Sequence, residues 1–68
     1  MILTLRQAIY KRLEEKSADD IYETIEDAVD NDERTLPGLG VLFELAWKHT
    51  DKKTQQKLVK AIKEHLPQ

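Results

Sequence analysis

The chain has 68 residues, no cysteine and a formal net charge of −2. That length allows one small domain spanning residues 1–68, and the missing cysteines exclude a disulfide framework and a thiolate metal site. A chain of this size buries only about 60% of the surface it exposes when unfolded. Helix packing or self-association is then left to do what disulfides and metals do in other small domains.

Cysteine-free composition fits a reducing compartment. Ile2, Leu3 and Leu5 form too short and interrupted a run for a signal peptide, and no stretch approaches membrane-spanning length. The expectation is a soluble, intracellular protein. A net negative charge gives no general attraction to nucleic acid, but the charge is unevenly spread. Eight acids and no base lie between Asp19 and Glu33, whereas five lysines and no acid lie between Lys52 and Lys63. Such blocks can attract each other within a fold or between copies, or can simply form two solvated helix faces.

The first predicted helix covers about residues 4–16. Thr4-Leu5-Arg6-Gln7 matches a capping box, in which the Thr hydroxyl and the Gln side chain satisfy each other's backbone amides. Leu5, Ala8, Ile9 and Leu13 then recur at helical spacing. Ser17 caps a second helix over about 18–30, with acids in its first turn, where the helix dipole favours them. Its apolar positions are Ala18, Ile21, Tyr22, Ile25, Ala28 and Val29, and its end is expected near Asp30 or Asn31. The very short connection predicts that the first two helices pack as an antiparallel hairpin.

Residues 31–35 read as a polar loop. Leu36, preceding proline, is biased toward extended geometry, and Pro37 suits the first position of a third helix over about 37–49. This segment holds both glycines, the only Phe and the only Trp. Gly38 and Gly40 are poor helix formers, and their place at a helix start suggests close backbone approach or a special turn. Leu39, Leu42, Phe43 and Ala46 form one stripe, Val41 and Leu45 a second, and Trp47 lies at the edge of the first. With two apolar faces, the helix is expected to be sandwiched between neighbours, either the chain's own or a second copy seated on the Val41/Leu45 face. Thr50 or Asp51 caps a fourth helix over about 52–66, whose apolar positions are Leu58, Val59, Ile62 and Leu66. Lys52 and Lys53 carry the wrong sign for its first turn. The prediction is an all-α protein, a compact bundle of four short helices.

Few constellations suggest chemistry. Gly38-Leu39-Gly40 lacks the preceding strand, the longer glycine spacing and the Lys-Ser/Thr pair of a phosphate loop. His49 and His65 lie far apart, without paired metal-ligand spacing. The carboxylate pairs Glu23/Asp27 and Glu26/Asp30 crowd one solvent face, whereas acid–base catalysis uses carboxyls in contrasting environments. No catalytic residue, cofactor or metal is expected. Lys53, Lys57 and Lys60 form a stripe able to reach phosphates, but the acids of the second helix oppose a polyanion and no arginine is at hand for base contacts.

The run Leu36-Pro37-Gly38-Leu39-Gly40-Val41-Leu42-Phe43-Glu44, followed by Trp47 and His49, resembles the small acid-soluble spore protein I family of Bacillus-type endospore formers. Leu5-Arg6 with Ala8, and Thr24-Ile25 with Asp27-Ala28, extend the likeness over nearly the whole chain. The resemblance implies a non-enzymatic protein made in the forespore late in sporulation and held in the spore core, with Leu36–Trp47 as core or interaction segment. The abundant DNA-coating spore proteins share its name and not its sequence. Their Glu-aromatic/aliphatic-Ala-Ser-Glu cleavage run is missing here, so neither DNA coating nor amino-acid storage carries over. The alternative expectation is a DNA-associated protein using the lysine stripe.

Overall fold

The computed structural model describes residues 4–67; Ile2 and Leu3, which bear on the signal-peptide expectation, lie outside them. The four expected helices are present: α1 Leu5–Leu13, α2 Ala18–Ala28, α3 Leu36–Lys48 and α4 Lys52–Glu64. No strand occurs among the described residues.

The caps set the boundaries. Thr4 and Gln7 form the capping box of α1, with the Gln7 amide donating to Thr4 Oγ1 at 3.1 Å and the Thr4 amide to Gln7 Oε1 at 2.9 Å. Ser17 Oγ accepts from the Asp20 amide to start α2. Asp51 accepts from the Thr54 amide at 2.8 Å, so α4 begins on a formed cap despite Lys52 and Lys53 in its first turn. The left-handed residue after α2 is Asp30, with φ 59°, while Asn31 folds its side-chain amide back onto the Asp27 carbonyl. Short polar side chains tolerate that region and can cap the free carbonyls there.

Three features depart from the sequence expectations. Residues 31–35 are not merely a loop: Glu33–Thr35 form a 3-10 turn capped by Asp32, and it runs straight into α3. Leu36 is therefore helical (φ −61°, ψ −42°), its amide bonded to the Glu33 carbonyl, in spite of the proline after it. The preceding turn overrides the local steric bias. Neither glycine of α3 marks a close approach or a special turn, since neither has positive φ and a Cβ built at Gly38 or Gly40 would meet nothing within 4 Å.

The third departure concerns packing. α1 and α2 do not chiefly pack on each other; α3 is the central helix, and each of the other two lies against it. Among the described residues one side-chain hydrogen bond, Lys16 Nζ donating to Thr24 Oγ1 at 3.3 Å, joins the segment after α1 to α2. α4 projects from this three-helix unit and makes slight contact with it. The radius of gyration is 13.5 Å, against about 11 Å for a tightly packed domain of this length.

Candidate functional site

The apolar residues of α3 are unequally covered. Val41, at 8% exposure, is the one buried side chain among the described residues, and it lies where α1 crosses near Thr4, Leu5 and Arg6. The Val41 half of the suspected association face is thus closed by the chain itself. Leu45, Phe43 and Leu36 remain exposed, whereas Leu39, Leu42 and Trp47 are half-buried. Phe43 and Trp47 lie one turn apart with ring centroids 5.6 Å from each other, tilted by 36°.

Glu44 has a role the sequence reading did not foresee. Its carboxylate accepts two hydrogen bonds from Arg6, 2.5 Å from Nε and 2.7 Å from Nη2, in a fork that clamps α1 to α3. The hydrogen bond from Arg6 holds the Glu44 carboxyl below its ordinary range, with the Arg6 and Lys48 charges acting the same way. In the sequence Arg6 stands in the capping-box run and Glu44 in the family-like run, with nothing to link the two. No local periodicity pairs positions 38 residues apart.

A second polar knot forms at the start of α3. Arg34 donates to Asp32 Oδ2 at 2.9 Å, and this bond lowers the Asp32 pKa. Thr35 Oγ1 donates to the Ala28 and Asp32 carbonyls at 3.1 and 2.8 Å, so one hydroxyl ties the end of α2 to the 3-10 turn.

A further uncovered surface lies elsewhere. A shallow groove of about 560 Å³ runs between α1, α2 and α3, floored by Leu13, Ile21, Leu42 and Leu45. Beside it Tyr22, Ile25 and Val29 form an exposed strip along α2. Val59 and Ile62 of α4, and Leu66 just past its end, are 52–56% exposed, while Leu58 is half-buried, so the chain covers only one edge of this apolar stripe. Contiguous exposed apolar patches on small proteins mark interaction surfaces.

The lysines Lys53, Lys57 and Lys60 are exposed on the opposite side of α4, and Lys60 reaches Glu64 at 3.8 Å. His49 and His65 are not brought together. His49 lines the groove, and His65 Nδ1 lies 2.7 Å from the Ala61 carbonyl at the end of α4. Among the described residues no three His, Cys, Asp or Glu side chains converge to hold a metal. No helix there is long and apolar enough to cross a membrane.

These features define a small all-α protein with a thin core, a clamped α1–α3 pair and a wide apolar surface. The family model for small, acid-soluble spore protein I matches residues 3–66. A small, acid-soluble spore protein I of Bacillus cereus strain G9842 is 37% identical over 67 residues, covering 97% of each chain. One of Shouchella clausii is 40% identical and one of Bacillus anthracis 36%, each again over 67 residues and 97% of both chains. No solved structure matches. The chain belongs to the small, acid-soluble spore protein I family, and it is a spore protein.

Proposed function

We propose that the chain is a non-enzymatic interaction protein of the spore core, made in the forespore late in sporulation. Its work is binding through the apolar surfaces of α2 and α4 and the groove between α1, α2 and α3. The observation that carries this reading is the mismatch, among the described residues, between one buried side chain and ten large apolar residues left exposed. A helix as amphipathic as α4 is a stable element only when its stripe is covered. Family membership supplies the spore setting.

The test is photo-cross-linking in intact spores from a reactive residue placed at Tyr22 or Ile62. Cross-links to protein support the reading. Cross-links to DNA alone contradict it.

One observation favours the alternative, DNA contact through Lys53, Lys57 and Lys60. Among the described residues none of these lysines forms an ion pair with an α2 acid. Duplex DNA would then be retarded at low salt, with affinity falling steeply as salt rises. Charge reversal at the three lysines would abolish the shift.

A further inference from the structure

We propose that the occupant of the α1–α2–α3 groove is α4 of a second copy, and that two chains exchange these helices reciprocally to form a dimer. This rests on the reading of the chain as an interaction protein and names its partner as the chain itself.

Four observations converge on that occupant. First, the two apolar surfaces match in kind. Leu58, Val59, Ile62 and Leu66 recur on one side of α4, and Tyr10, Leu13, Ile21, Ile25, Leu42 and Leu45 line or floor the groove. An amphipathic helix laid in an apolar groove, read through residues at i, i+3, i+4 and i+7, is a recurrent recognition mode.

Second, the charges are complementary. The helical period places Lys52 and Lys63 beside Val59 at one edge of the α4 stripe, and Asp19 and Glu26 beside Tyr22 at one edge of the α2 strip. Docking the two stripes brings the Lys52/Lys63 edge of α4 to the base-free α2, with the one acid of α4, Glu64, on the far side beside Lys60. Within the described residues of one chain, neither Lys52 nor Lys63 forms an ion pair with α2. Like signs on both surfaces would have excluded a second copy, because juxtaposed like charges select against a partner.

Third, the chain cannot close the groove with its own α4 without breaking its corner. Gln55 Nε2 donates to the Trp47 carbonyl at 2.7 Å and Thr50 Oγ1 to the same oxygen at 3.3 Å, both part-buried. Together with the Asp51 cap, these bonds fix the direction in which α4 leaves α3. Folding α4 back onto α2 would forfeit them, whereas a second copy meets α4 where it already points.

Fourth, the area is sufficient. The chain exposes 6346 Å², and a compact monomer of 7.9 kDa exposes about 4,400 Å². The excess of roughly 1,900 Å² per copy reaches the range of permanent homodimer interfaces when two chains contribute it. Exchange of α4 in both directions is a twofold arrangement, so each chain gives and receives the same contact and the assembly closes at two.

The experiment is sedimentation equilibrium on the full chain, with circular dichroism to monitor helicity. The wild type is expected at twice the 7.9 kDa chain mass, and Ile62→Asp at the single-chain mass. Because Ile62→Asp could also melt α4, a charge exchange provides the second arm. One variant carries Asp19→Lys and Glu26→Lys, the other Lys52→Glu and Lys63→Glu. Each alone places like charges at both contacts and is expected to lose most of its dimer. Mixed in equal amounts, they restore opposite charges at both contacts and the dimer returns. A monomeric wild type, a dimer indifferent to Ile62→Asp, or a mixture that stays monomeric overturns the inference. Spore cross-links to another protein would leave the interaction reading standing in that event. Cross-links to DNA alone would remove that reading whatever the mass.

Discussion

Arg6 and Glu44, 38 residues apart, face each other as a two-pronged ion pair that joins the first turn of α1 to the middle of α3. The pair sits beside Val41, the single buried side chain among the described residues, so this junction is apolar inside and ionic at its edge. Arg suits this place because its planar fork matches the two carboxylate oxygens, a geometry lysine cannot supply. Arg6→Lys is accordingly expected to loosen the junction nearly as much as Arg6→Ala. Equal thermal stability of wild type and Arg6→Lys would contradict that.

Acid should weaken the fold. Glu44, Asp32 and Asp51 each have a carboxyl held below its ordinary range, by Arg6, by Arg34 and by the Thr54 amide and hydroxyl respectively. A depressed folded-state pKa contributes stability that is present above the unfolded value, about 4, and is lost as pH falls through the folded value. Thermal midpoints should therefore be flat from about pH 5 upward and fall below about pH 4. Glu44→Gln should flatten part of that decline. A stability maximum below pH 4 would contradict the sign.

Val41→Ala should cost about 2 kcal/mol, from two lost carbons and a partly unfilled cavity. In urea titrations the midpoint should drop with little change in slope. Val41→Ala should outweigh Leu36→Ala, because Leu36 is 58% exposed. The reverse order would mean that the core lies elsewhere.

Gly38→Ala and Gly40→Ala should each stabilise the chain by up to about 1 kcal/mol, since helix propensity rises and the unfolded chain loses freedom. Neither site has positive φ, and the added methyl meets nothing within 4 Å. Destabilisation by either would show a backbone contact absent from the single chain.

Ser17→Ala should cost about 1 kcal/mol, the usual value for an N-cap hydroxyl. The bond at stake is that from the Asp20 amide to Ser17 Oγ, at 3.2 Å. Thermal midpoints check it, and an unchanged midpoint would contradict it.

The helices were legible because their signals are local. The Thr4/Gln7 capping box and the Ser17 cap lie within four residues of the bonds they make. The arrangement was not legible in the same way. The short α1–α2 connection suggested a hairpin, but each of the two helices lies chiefly against α3, and sequence spacing does not say which neighbour a stripe will meet. Leu36 shows local bias losing to its neighbours: a 3-10 turn capped by Asp32 delivers it into helix before proline. The glycine pair misled because a missing side chain reads equally as close approach or as tolerance, and the open space around both sites favours tolerance. For the candidate surface, the opposite charge blocks of residues 19–33 and 52–63 were plain in the sequence. Only the structure shows that α4 makes slight contact with the other helices and that both apolar stripes stay largely open, at Tyr22, Ile25 and Val29 and at Val59, Ile62 and Leu66.

The most direct measurement is amide hydrogen exchange of α4 in dilute and concentrated protein. Association protects only what it covers, so stability that depends on a second copy depends on concentration. The amides of Gln55–Ile62 should exchange quickly when dilute and become strongly protected when concentrated, while those of α3 around Val41 change far less. Protection of α4 that is the same at both concentrations would contradict the account.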